Sequence, residues 1–88
     1  MINSILTSTY ARAIYIFGTK RFTARDGKLG IPTEYHEPVK KYAATGIVND
    51  VHYPDDDFVG YELTQIQQAL TKGYINQTEY DETVAYIV

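Results

Sequence analysis

Apolar and polar residues alternate along the chain at helical spacing, and glycine punctuates each run. Over residues 3–17 the apolar positions Ile2, Ile5, Leu6, Tyr10, Ala13 and Phe17 keep a helical rhythm, and Gly18 stands where a helix-terminating glycine belongs. Residues 10–17 (YARAIYIF) are also rich in β-branched and aromatic side chains, so a strand is the alternative reading there. Helix is the expectation, because Gly18 follows so directly.

Residues 18–31 (GTKRFTARDGKLGI) read as a connector around Asp26-Gly27, a dipeptide suited to tight turns. Short strands at 21–24 and 28–31 would make a small hairpin, and an inserted loop tip fits equally well. Pro32-Thr33-Glu34 then opens a helix whose early acids, Glu34 and Glu37, and late bases, Lys40 and Lys41, suit the helix dipole. Tyr35, Val39, Tyr42 and Ala43 give it one apolar face. Pro38 fits only within a first turn, so the helix is expected to start near Glu37, with 32–36 as a lead-in and Gly46 as its end.

Ile47-Val48 and Val51-His52-Tyr53 flank Asn49-Asp50, a candidate β-turn, and Pro54 with Asp55, Asp56 and Asp57 predicts an exposed loop. Residues 62–72 (ELTQIQQALTK) give the clearest helix, with Leu63, Ile66, Ala69 and Leu70 on one face. Gly73 closes it. Asn76, with Glu79 three residues on, predicts a capping box at the start of a last helix striped by Tyr80, Val84 and Ile87. The fold class expected is therefore mainly α: a single small domain over residues 1–88, a bundle of three to four helices with a C-terminal helix-turn-helix hairpin and a short β-hairpin, with α+β as the alternative.

A short echo runs through the chain. Residues 33–39 (TEYHEPV) and 78–84 (TEYDETV) share T-E-Y-x-E-x-V, five of seven positions. Either the chain holds two duplicated helical hairpins, or the two segments share helix-start chemistry.

Composition narrows the function classes. The 88 residues have 44% apolar and 22% charged content, which places the chain among globular rather than disordered sequences. With no Cys, disulfides, thiolate metal sites and cysteine nucleophiles are excluded. No apolar run approaches the ~20 residues of a spanning helix, so no membrane role is expected. The opening residues lack a basic n-region, so a soluble intracellular protein without a signal peptide is the expectation.

Charge is split along the chain. Residues 1–31 carry five basic side chains against Asp26, a net +4, whereas residues 49–88 carry eight acids against Lys72, a net −7. The split either steers docking or is neutralised inside the fold. The candidate interaction surface is accordingly basic Lys20, Arg21, Arg25 and Lys28 and acidic Asp55, Asp56 and Asp57.

Catalytic and cofactor patterns are missing. His36-Glu37-Pro38 has no second His four residues on, Gly27-Lys28 lacks the rest of a phosphate loop, and His52 with three successive aspartates lacks EF-hand spacing. No metal, cofactor or enzyme activity is expected. Nucleic acid is disfavoured as a partner because the last helix bears Glu79, Asp81 and Glu82 and no base. Any such binding would fall to Lys20, Arg21, Arg25 and Lys28, with Phe22 to stack.

The segment ALTKGYINQTEYDETVAYI resembles the C-terminal part of small XkdX-like proteins of Gram-positive phages and prophages. These carry a helix, a K/R/E-G-Y-I-T-x-E-x-Y stretch and another short helix. Lys72, Gly73, Tyr74, Ile75 and Tyr80 carry the likeness, Asn76 stands where Thr is commoner, and the basic first third has no counterpart in the short family members. The resemblance covers the last quarter of the chain. It implies a phage accessory or structural protein without enzymatic activity, acting through a protein partner or self-association, in the bacterial cytoplasm or on the virion. The alternative is a regulator or inhibitor of a host protein or nucleic-acid process.

Overall fold

Helix signals dominate the sequence, and the computed structural model, which describes residues 3–48, 51–52 and 60–87, is mainly helical. Its elements run α1 (Ser4–Ala11), a π-helical extension (Arg12–Phe17), β1 (Lys20–Arg21), β2 (Leu29–Gly30), a 3-10 turn (Thr33–Tyr35), α2 (His36–Thr45), β3 (Ile47–Val48), β4 (Val51–His52), α3 (Leu63–Thr71) and α4 (Gln77–Val84). Helix α1 packs on α2, the π segment on α3, and α4 on both α2 and α3.

The N-terminal segment is helix, not strand, but the buried face is not the one its large apolar residues suggest. Asn3 caps α1 by accepting from the Leu6 amide at 3.0 Å. Thr7, Ala11, Ile14 and Tyr15 face the core, at i, i+4, i+7 and i+8, whereas Ile5 and Phe17 are more than half exposed. Over Arg12–Phe17 the helix widens to i→i+5 bonds, ending with the Gly18 amide on the Ala13 carbonyl. Gly18 adopts φ 68°, and a Cβ there would stand 2.3 Å from the Tyr74 ring. Only glycine fits both the left-handed conformation and that close approach.

Asp26-Gly27 does make a tight turn, closed by paired bonds between Arg25 and Lys28 at 2.8 and 3.2 Å. Of the two readings of this stretch, hairpin or loop tip, the antiparallel hairpin does not extend beyond the Arg25–Lys28 bridge. Lys20 and Arg21 pair in parallel with Leu29 and Gly30. The chain bends after Arg21 to drive Phe22 into the core at 1% exposure, which diverts the strand from its hairpin path.

Helix α2 begins as expected after a lead-in turn, and Pro38 is its third residue, where no intrahelical amide bond is required. Tyr35, Val39, Tyr42 and Ala43 are all buried. The pair β3–β4 is antiparallel, with Ile47 opposite His52, as the candidate turn predicts. Asn49, Asp50 and Tyr53 lie outside the described residues.

Helices α3 and α4 form the expected hairpin. Ile66 and Ala69 are buried, Leu70 partly so, and Leu63 is exposed. The Asn76 side chain accepts from the Glu79 amide at 2.8 Å, and the Glu79 carboxylate accepts from the Asn76 amide at 2.9 Å. On α4 the fully turned-in positions are Glu79 and Thr83; Tyr80 and Val84 pack against the core from its edge, and Ile87 is exposed. The core itself gathers Ile14, Phe22, Val39, Ile66 and Ile75.

The T-E-Y-x-E-x-V echo does not mark equivalent structures. Residues 33–35 form a 3-10 turn ahead of α2, whereas residues 78–84 lie wholly within α4. Glu34 is exposed and Glu79 buried, while Tyr35 is buried and Tyr80 half-buried. Shared helix-start chemistry accounts for the echo.

Candidate interaction surface

The loop between β1 and β2 gathers the four basic residues singled out by the sequence, but gives them different work. Arg21 is buried. Its Nη1 donates to the Gly18 carbonyl at 2.7 Å and the Lys20 carbonyl at 3.0 Å, and its guanidinium lies 5.4 Å from the centre of the Tyr74 ring. Arg25 reaches Asp26 at 3.3 Å, the Tyr74 carbonyl at 3.4 Å and the Glu79 carboxylate at 3.6 Å. Both arginines therefore tie the loop to the α3–α4 turn. Lys20 is half-buried and Lys28 exposed, and neither ammonium has a carboxylate partner among the described residues. Leu29 lies opposite Lys20 in the ladder and is 70% exposed. Asp55, Asp56 and Asp57 lie outside the described residues, and with them the cation reading built on His52.

Phe22 is no stacking platform. It belongs to the core, edge-on to Tyr15 at 5.9 Å and to His36 at 5.6 Å. The His36 ring nitrogen Nε2 lies 3.3 Å from the Ile31 carbonyl, a local structural contact. Among the described residues, no group of three or more ligating side chains could hold a metal ion. Nor is any helix among them long and apolar enough to cross a membrane.

Among the described residues, two recesses open between helices. One, about 430 Å³, separates α2 from α4 and is lined by Glu37, Lys40, Glu82, Ala85 and Tyr86. Lys40 is buried, ion-paired with Glu82 and 5.1 Å from the centre of the Phe22 ring. Tyr86 donates its hydroxyl to Glu37 at 3.1 Å, and its pKa is raised first by burial and then by that carboxylate. Local sequence gave no sign of this groove, because its two walls lie more than forty residues apart; Lys40 reads from sequence only as dipole compensation.

The second recess, about 170 Å³, lies between the π segment and α3, lined by Tyr15, Ile16, Gln65, Gln68, Ala69 and Lys72. Tyr15 is held protonated far above the ordinary phenol range, chiefly by burial. Its hydroxyl is committed, 2.6 Å from Thr83 Oγ1, which itself donates to the Glu79 carbonyl at 2.8 Å. Thr83 has one proton to give, so Tyr15 is the donor in their bond. No protein-family model, curated protein or solved structure matches the chain.

Proposed function

We propose that this chain is a non-enzymatic accessory or structural protein of a phage or prophage, working by protein–protein contact in the bacterial host or on the virion. The observation that carries the reading is Leu29, a large apolar side chain left 70% exposed beside Lys20 on a two-stranded edge. An exposed apolar side chain with polar groups around it matches the apolar centre and polar rim of a contact surface. The phage assignment rests on the resemblance of residues 69–87 to XkdX-like proteins.

The nucleic-acid alternative has less to stand on. Arg21 and Arg25 are engaged within the fold and Phe22 is buried, which leaves only Lys20 and Lys28 of that basic cluster for phosphate. A photo-crosslinking residue at position 29, expressed in an induced lysogen, tests the reading. Crosslinks to a defined protein, a second copy included, are expected. Crosslinks to nucleic acid alone, or none, would overturn it.

A further inference from the structure

The groove between α2 and α4 and the β1–β2 edge are complementary in chemistry, and each lacks what the other offers. Within the groove the Lys40 charge is balanced by Glu82, leaving the Glu37 carboxylate as net negative charge on the rim. Ala85, the Tyr86 ring and the Lys40 stem supply apolar wall. The β1–β2 edge presents the reverse: Leu29 exposed, Lys20 across the ladder on the same face, and Lys28 at the adjoining turn. A leucine flanked by ammonium groups suits an apolar recess with a carboxylate rim.

We infer that the α2–α4 groove of one chain receives the Leu29 edge of a second copy. The inference rests on the protein-contact reading and names the partner. Two different patches meet, so the contact is head-to-tail, and repetition builds a ring or a filament. One leucine and two lysines make a small interface of the transient class, whose strength in an assembly comes from repetition. The split of charge along the sequence then has an intermolecular use beyond its internal ion pairs.

Sedimentation velocity across concentration, at low and high salt, tests this. The wild-type chain is expected to associate with rising concentration, and about tenfold more weakly when salt is raised from ~0.05 M to ~0.5 M. Leu29→Ala should weaken association about tenfold or more. A Lys20→Glu/Lys28→Glu chain has two acidic patches, and a Glu37→Lys chain has two basic ones. Each should remain monomeric alone, with circular dichroism reporting an intact fold. Mixed in equal amounts they should associate again, because every edge then faces a groove of opposite sign. A wild-type chain that stays monomeric at millimolar concentration and low salt overturns the inference. So does association that survives both charge reversals, or a mixture that fails to associate. Wild-type monomers together with crosslinks from position 29 to another protein would remove self-association and leave the protein-contact reading standing.

Discussion

Gly18 and Gly73 both adopt left-handed backbone, at φ 68° and 81°, but their surroundings differ sharply. A Cβ at Gly73 meets nothing within 4 Å, whereas one at Gly18 falls 2.3–2.6 Å from three atoms of the Tyr74 ring. Gly73→Ala therefore incurs only the left-handed penalty of an L-residue, about 1–2 kcal/mol. Gly18→Ala incurs the same penalty plus an overpacking term of about 1–3 kcal/mol. The Tyr74 ring cannot swing away freely, since Arg21 lies 5.4 Å and Lys72 5.8 Å from its centre. Loss of unfolded-state freedom on Gly→Ala is common to both variants and cancels in the comparison. With a urea slope of roughly 1 kcal/mol/M for a chain this small, the midpoint should fall by about 1–2 M for Gly73→Ala and about 3 M for Gly18→Ala. Urea titration followed by far-ultraviolet circular dichroism measures both. In a Tyr74→Ala background the two glycine substitutions should become nearly equal, which isolates the clash as a coupling energy. Equal midpoints in the wild-type background would refute the reasoning.

The buried Tyr15–Thr83 bond predicts an asymmetry: Thr83→Val strands the Tyr15 hydroxyl and should destabilise by about 1–3 kcal/mol, whereas Tyr15→Phe leaves Thr83 donating to Glu79 and should cost about 1 kcal/mol. Chemical denaturation of the two variants decides it, and the opposite order would reverse the assigned donor. In alkali, Tyr15 keeps its proton in the fold well above the ordinary value of 10, and Tyr61 is pushed up to about 12, both chiefly by burial. The unfolded chain releases these protons from about pH 10, so stability is full below that pH. Above it, stability should fall by up to ~1.4 kcal/mol per pH unit for each group, with the Tyr61 contribution ending near its folded value of about 12 and the Tyr15 contribution continuing beyond it. Tyrosinate absorbance rising in step with loss of helical signal would show this, and the slope should be shallower in Tyr15→Phe. Asn76→Ala removes the acceptor of the Glu79 amide and should cost about 1 kcal/mol by thermal or urea unfolding; an unchanged midpoint would show that the cap is dispensable.

Much of the helical architecture is legible from local signals. The α3–α4 hairpin follows from glycine, an Asn-x-x-Glu cap and a clear stripe, and the late start of α2 follows from Pro38. Each is decided within about one turn of chain. Legibility fails where a distant residue decides. Large apolar residues pointed to Ile5, Leu6 and Phe17 as the inner face of the first helix, yet small Thr7 and Ala11 are buried because α2 comes close there. Of hairpin and loop tip, the two readings open for 21–31, the hairpin gives way to a parallel contact because Phe22 has a place between Tyr15 and His36. The basic cluster was legible as charge. That Arg21 and Arg25 would turn inward was not, since Tyr74 and Glu79 are about fifty residues away.

That inward turn bears directly on function. The sequence divides its charge so strongly that docking and internal neutralisation looked like alternatives, yet the fold uses both ends of the division. Arg25 meets Glu79 and joins the basic third to the acidic half, and Lys40 meets Glu82 across the helices. The Arg25 contacts to Glu79 and Tyr74, with Arg21 against the Tyr74 ring, hold the β1–β2 loop against the α3–α4 turn, so the loop is anchored rather than free to adapt. An anchored edge lowers the ordering cost of binding, and it leaves Lys20, Lys28 and Leu29 displayed at a fixed geometry. The arginines, engaged inward, thereby fix the position of the neighbours on which the proposed contact rests.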